Sequence, residues 1–248
     1  MLSVVLYHFG FSWIGGGFVG VDIFFVISGF LIGGILWKEQ RENGRISLAR
    51  FYLRRFRRLA PAFFAMAALT SVFAWLILLP FEFREFGKSL IAATFYLANV
   101  LFYRSAGYFD SGSEDKILLH TWSLSVEEQF YVFLPLILIL LVRWPRILVM
   151  ALWVLFAVSA VLCFTQTQSH PSAAFYLFPF RAWELLAGVL LAITGHNKNW
   201  SWSIHPAFSW FGFVILVIAL IFIRPGPTFP GLQAVAPVIG GLLILVNG

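Results

Sequence analysis

The sequence predicts an all-α fold, a polytopic transmembrane helix bundle of about 8 to 9 membrane segments, each near the length that crosses a hydrocarbon core. Three observations predict it. Of 248 residues, 60% are hydrophobic and only 11% charged, where a soluble domain carries roughly 25% charged residues. Long apolar runs recur along the chain. Aromatic residues make up 19%, with Phe 29 and Trp 10, as in proteins whose surface meets lipid tails and whose Trp and Tyr sit at the interfaces. The net charge of +6 is what Lys and Arg retained on the cytoplasmic side produce, and nucleic-acid binding is not expected. The single cysteine, Cys163, excludes an intrachain disulfide and a cysteine-based metal site.

Met1 to Trp13 is apolar but too short to cross, and it lacks the charged n-region and cleavage site of a signal peptide. It reads as the second half of a transmembrane helix. The far end stops inside an apolar run at Val246-Asn247-Gly248, so both ends are expected to be truncated. Between them, spans are expected at about 18–37, 59–79, 125–142, 146–164, 174–194, 208–223 and 232–247, in one membrane domain over residues 1–248. Residues 89–103 are a shorter apolar segment, read as re-entrant rather than crossing. Eight of the 17 Lys and Arg residues (Lys38, Arg41, Arg45, Arg50, Arg54, Arg55, Arg57 and Arg58) lie between the first two full spans. That connection should face the cytoplasm. Arg143 and Arg146 then favour a cytoplasmic turn as well, which the re-entrant reading of 89–103 permits.

Within the spans, Gly29 and Gly33 share a helix face and suit close backbone approach. Asp22 sits near the end of a span, either paired or solvated at the interface. Gly15, Gly17 and Gly20 spell G-x-G-x-x-G, but no βαβ unit surrounds them, so a turn is expected rather than a dinucleotide site. Asn199-Trp200-Ser201 is a glycosylation sequon only in a eukaryotic secretory lumen. In Phe51-Tyr52-Leu53-Arg54-Arg55-Phe56-Arg57-Arg58, the spacing of Arg55 and Arg54 to Arg58 puts guanidinium groups on one helix face. They suit either bidentate phosphate binding or anchoring to lipid headgroups. Glu127 and Glu128 open another apolar span and point about 100° apart, so one is expected to face the interior; an acidic pair there also suits the helix dipole. Arg181 and Glu184, three apart, either pair with each other or reach other helices. His8 carries an imidazole that titrates near neutrality and can act as base or nucleophile.

Taken together, Leu6-Tyr7-His8-Phe9, Val19-Gly20-Val21-Asp22-Ile23-Phe24-Phe25-Val26-Ile27-Ser28-Gly29-Phe30, Arg54 to Pro61, His120-Thr121-Trp122-Ser123-Leu124-Ser125-Val126-Glu127-Glu128-Gln129-Phe130-Tyr131 and Arg181-Ala182-Trp183-Glu184 resemble the membrane acyltransferase-3 family. These are O-acetyltransferases of bacterial surface glycans. The resemblance implies a multi-pass protein of the bacterial inner membrane that moves an acyl group, acetyl first, from acyl-CoA to a hydroxyl of a cell-surface or lipid-linked carbohydrate. It places the family's R-x-x-R motif on Arg55 and Arg58, with Arg54 beside them, and its transmembrane histidine on His8, with His120 as the fallback. Glu127 would orient the imidazole or bind sugar hydroxyls, with Asp22, Trp122, Glu128, Arg181 and Glu184 as substrate or structural support. No metal is implied. The family's arginine eleven residues before the histidine would precede Met1. Residues 108–119 look most like a branch whose members often carry a periplasmic SGNH-type esterase domain, which makes such a domain an implied partner alongside membrane lipid and the carbohydrate acceptor. The rival readings are a glycan or solute transporter or flippase, whose pathway buried charges would mark, and an inactive fragment.

Overall fold

The computed structural model describes residues 2–8, 15–106, 116–195 and 207–246, and the described residues are helical throughout apart from short connections. Helix α1 is Leu2–His8. A 3-10 turn over Gly17–Val19 leads into α2, Gly20–Asn43, and α3 is Leu48–Ile77. Then come α4, Pro80–Thr94; α5, Ala98–Ala106; α6, Thr121–Leu141; and α7, Pro145–Gln166. The rest is α8, Pro171–Tyr176; α9, Phe178–Gly195; α10, Ala207–Phe222; and, after a 3-10 turn over Gly231–Ala234, α11, Val235–Leu245.

Among the described residues, five stretches are long and apolar enough to cross a membrane: Gly17–Asn43, Leu48–Ile77, Thr121–Leu141, Pro145–Gln166 and Pro171–Gly195; α10 and α11 are shorter apolar helices. Two helices outrun the apolar runs that announce them. The 18–37 run continues as helix to Asn43, where Gly44, at φ 67°, stops it and donates its N–H to the Gln40 carbonyl at 2.9 Å. The 59–79 span begins eleven residues early, at Leu48, because Arg and Leu are good helix formers whatever their polarity. The connection between the two shrinks to Gly44–Ser47, and most of the basic segment is helix.

The core is the α2–α9 pair. Small residues let the backbones meet: a Cβ on Gly29 would collide with the Leu185 carbonyl, and one on Gly188 with the Val26 carbonyl, while one on Gly33 would lie 3.0 Å from Val189 Cα. Without a hydrophobic force between helices in lipid, such contact is what holds a pair together. Helix α9 is buried on nearly every side, including Arg181, Trp183, Glu184 and Leu185, as expected of a central helix. Helix α3 lies outside, with Trp75 72% and Ile77 73% exposed, a surface for lipid tails.

Residues 89–103 do not form one helix. Helix α4 stops at Thr94, Tyr96 takes the left-handed conformation at φ 55°, and α5 restarts at Ala98. Asn99 pairs with Gln129 in α6, while Ser105, farther along α5, accepts a hydrogen bond from Lys116 just before α6 begins. Thus α5 runs back antiparallel to α6. The α4–α5 hairpin enters and leaves at one end of the bundle, the re-entrant arrangement, and α6 starts from that end. Arg146 accordingly shares a cavity with Arg41 at the other end, the end that carries the basic segment of α3.

Candidate functional site

Among the described residues, two charged clusters lie inside the bundle. The first is built by α2 and α9. Arg181 Nη2 is 3.1 Å from Asp22 Oδ1, and Arg181 Nη1 is 2.9 Å from Glu184 Oε1, with side-chain exposures of at most 1%. Both alternatives read for Arg181 hold at once, an intrahelical pair and an interhelical one. Asp22 is fully buried and paired, so the solvated, interfacial alternative is excluded. Four rings surround the guanidinium, with centroids 5.5 Å (Phe25), 5.8 Å (Trp122), 5.9 Å (Phe175) and 5.7 Å (Phe229) from its central carbon. A cation among aromatic faces in a low-dielectric interior is well placed. Trp122 serves as a wall of this cage.

Helix α1 leans on the same end of the bundle. Its Tyr7 ring meets Phe18 at 5.6 Å and Phe18 meets Phe229 at 4.7 Å, so a chain of rings leads from α1 to Arg181. The Gly15 to Gly20 segment makes this possible: Gly15 and Gly16 form a turn, and a Cβ on Gly17 would collide with the Ser3 carbonyl and Tyr7. His8 closes α1; its side chain lies outside the described residues, as do His196, His205 and the Asn199-Trp200-Ser201 sequon. His120 is exposed at the start of α6, and His170 is exposed beside Gln166, 3.2 Å away.

The second cluster joins α2, α3 and α6. Glu127 is 3% exposed, with the buried Ser28 of α2 and Tyr131 of its own helix among its polar neighbours. Glu128 is half-buried. Arg55 stacks its guanidinium 4.2 Å from the centre of the Tyr131 ring, one helical turn beyond Glu127. Glu127 Oε1, Glu128 Oε1 and Arg55 Nε are all buried without a hydrogen-bond partner. Tyr52 of α3 donates to the Tyr131 carbonyl at 3.3 Å, and the Gln129 amide, bonded to Asn99 Oδ1 at 2.9 Å and the Tyr96 carbonyl at 3.0 Å, ties in the hairpin. The arginines expected on one face have three different surroundings: Arg54 pairs with Glu39 at 3.3 Å, Arg55 turns inward, and Arg58 is exposed.

Ser28, Tyr131 and Tyr52 escape a reading of the sequence. Tyr131 lies one turn beyond Glu127, a spacing that puts both on one helix face, and that signal was available. Ser28 and Tyr52 become partners only through helix packing. A cavity of about 900 Å³ lies between the ends of α2, α7 and α9, is lined by Trp37, Arg41, Arg146 and Trp153 among others, and touches none of the candidate residues. A smaller one of about 280 Å³, between α4, α5 and residues 116–118, holds Glu82, Glu85 and Lys116. There burial holds the Lys116 amine below its usual range, with Glu85 acting in the opposite sense. Among the described residues no cluster of His, Cys, Asp and Glu could hold a metal ion.

The model of a family described as "Acyltransferase domain" matches residues 1–247. The chain is 37% identical over 199 residues to a peptidoglycan O-acetyltransferase of Listeria monocytogenes, covering 77% of this chain and 32% of that protein. It is 35% identical over 237 residues to a putative peptidoglycan O-acetyltransferase of Bacillus subtilis, covering 90% and 37% respectively. An uncharacterized protein of Haemophilus influenzae is 35% identical over 237 residues, covering 91% of this chain and 96% of the relative. The chain thus spans about a third of the length of the first two relatives. No solved structure matches it.

Proposed function

We propose, from the premise that this chain belongs to the acyltransferase-3 family, that it transfers an acetyl group from acetyl-CoA to a hydroxyl of a cell-envelope carbohydrate in the bacterial inner membrane. The observation that carries this reading is the second cluster. A buried carboxylate, Glu127, keeps one oxygen without a partner, one helical turn from the Tyr131 ring that an inward arginine covers, in a chain matched over its length by an acyltransferase domain. An intramembrane ionisable group with unfilled bonding capacity marks a site by default.

The acyl donor approaches from the basic end of the bundle, assigned to the cytoplasm by the positive-inside rule. Exposed Arg58 meets donor phosphate there. The relatives' names support peptidoglycan as the acceptor. His8 takes the proton of the acceptor hydroxyl as its oxygen attacks the thioester carbonyl. The new ester bond forms, the carbon–sulfur bond breaks, and the thiolate leaves to take up the proton. Transfer through an acyl-His8 intermediate is the variant with the same balance.

Inside-out membrane vesicles bearing the chain test the reading against a transporter. Acetyl transfer requires acetyl-CoA consumption that survives collapse of the membrane potential by an ionophore. Ion-dependent uptake of glycan with no thioester consumed would overturn it.

A further inference from the structure

The cavity of about 900 Å³ between α2, α7 and α9 takes no part in the site described above, yet its lining is sorted by polarity. Its charged residues are Arg41, in the last turn of α2, and Arg146, in the first turn of α7, and no Asp or Glu lines it. The carboxylates that flank Arg41 in sequence are engaged elsewhere: Glu42 lies 3.8 Å from Lys38, and Glu39 lies 3.3 Å from Arg54. Away from the arginines the wall turns apolar. It follows α7 from Pro145 through Val149 and Met150 to Trp153, a depth of about 12 Å at 1.5 Å per residue. Met150 and Trp153 are 62% and 50% exposed, so this side of the cavity belongs to the surface that meets lipid. The lining hydroxyl, that of Thr194, already donates to the Leu190 carbonyl at 2.7 Å.

Two guanidinium groups at the mouth and an apolar wall running into the bilayer suit a ligand with a phosphate at one end and a hydrocarbon chain at the other. We propose that this cavity binds an anionic phospholipid of the cytoplasmic leaflet, with its phosphate at Arg41 and Arg146 and its chain along α7 beside Trp153. Basic pockets between transmembrane helices on the cytoplasmic side hold such headgroups, and the planar fork of Arg matches phosphate oxygens. A soluble phosphate compound suits the mouth but not the wall. Its sugar and base groups, laid along Val149, Met150 and Trp153, would leave water without gaining hydrogen-bond partners. Lipid binding here requires no acyl transfer, only this cavity and, for the choice of leaflet, the basic end lying where the positive-inside rule assigns it.

Native mass spectrometry tests the site on the full chain, purified in an uncharged detergent and titrated with dioleoyl phosphatidylglycerol or dioleoyl phosphatidylcholine. The first phosphatidylglycerol is expected to bind about 10-fold or more tightly than phosphatidylcholine, since each basic side chain near an anionic headgroup contributes about 5-fold and two are present. Arg41→Gln combined with Arg146→Gln should bring that preference to within about twofold, and the corresponding pair of Lys substitutions should keep most of it, because the charge is retained. Arg45→Gln combined with Arg50→Gln removes the same charge from the basic end without altering the cavity lining, and it should keep the wild-type preference. Should the first pair fail to yield folded protein, Arg146→Gln alone, at an exposed position, should lose about 5-fold of the preference. Equal affinity of the wild type for the two lipids, or an equal loss in the Arg45 and Arg50 control, would overturn the proposal. Competition separates the sources of phosphate. Glycerol 3-phosphate and acetyl-CoA should leave bound phosphatidylglycerol in place. Displacement by either one, abolished by Arg41→Gln with Arg146→Gln, would assign the cavity to a soluble phosphate compound and refute the lipid site.

Discussion

Replacing Arg181 with Met is expected to be among the most damaging single changes in the bundle. The guanidinium lies 3.1 Å from Asp22 and 2.9 Å from Glu184, and all three side chains are at most 1% exposed. Removing it leaves two carboxylates facing each other without a cation, and breaking such a buried pair costs about 3–5 kcal/mol. Against a total stability of about 5–15 kcal/mol for a folded domain, that is a large share. At about 2–4 °C per kcal/mol for a chain of this size, the unfolding midpoint should fall by about 6–20 °C. Charge arithmetic orders the related variants. Asp22→Asn or Glu184→Gln removes one carboxylate of two and leaves a one-to-one pair, so each should cost less than Arg181→Met. The assay is thermal unfolding of detergent-purified protein, with gel-filtration profiles to detect collapse. A midpoint for Arg181→Met within about 2 °C of wild type, or a larger loss for Asp22→Asn, would refute the reasoning.

Other expectations follow from the packing and the topology. Gly188→Val should destabilise by about 1–3 kcal/mol or more, the usual cost of overpacking, because its Cβ would strike the Val26 carbonyl; an unchanged midpoint would show that α2 and α9 can separate freely. Arg45→Cys should resist a membrane-impermeant thiol reagent in intact cells if the basic end lies where the positive-inside rule assigns it, in the cytoplasm, and the native Cys163 is buried and gives little background; ready labelling would invert the topology. Glu127→Gln should reduce acetyl transfer more than Glu128→Gln, because Glu127 is 3% exposed and Glu128 only half-buried; the reverse order would move the site to Glu128.

Much of this architecture is legible in the chain itself, and the failures have physical causes. Runs of apolar residues announce the spans because lipid demands them, and Gly29 and Gly33 announce a packing face because only small residues permit it. Helix ends are harder to read. The basic run from Arg50 to Arg58 looks like a loop to a hydropathy reading but is helix within α3. The 174–194 span is two helices, α8 and α9, broken at Leu177, whose extended conformation precedes Phe178 and Pro179. Pro61 and Pro135, by contrast, sit inside continuous helices, because neighbouring groups in a bundle can accommodate the lost hydrogen bond. The break at Tyr96 carries no Gly or Pro signal, and its carbonyl is held by Gln129 from α6, a tertiary contact. Within the site, Asp22, Glu127, Arg181 and Glu184 stand out because charges in apolar runs are rare. Their partners do not: Ser28 and Tyr52 are ordinary residues until α2, α3 and α6 meet. The separate fates of Arg54, Arg55 and Arg58 depend on how α3 is rotated against α6, which spacing does not fix.

The central claim is acyl transfer with His8 as its chemical centre, and one measurement tests it most directly. The full chain and its His8→Ala variant are brought to equal levels in membranes, and transfer of labelled acetyl from acetyl-CoA to peptidoglycan is followed. A positioned base contributes about 10²- to 10⁴-fold to such a reaction, so the account predicts clear transfer by the wild type and a loss of that order in the variant. Transfer by His8→Ala within a few-fold of wild type would contradict it.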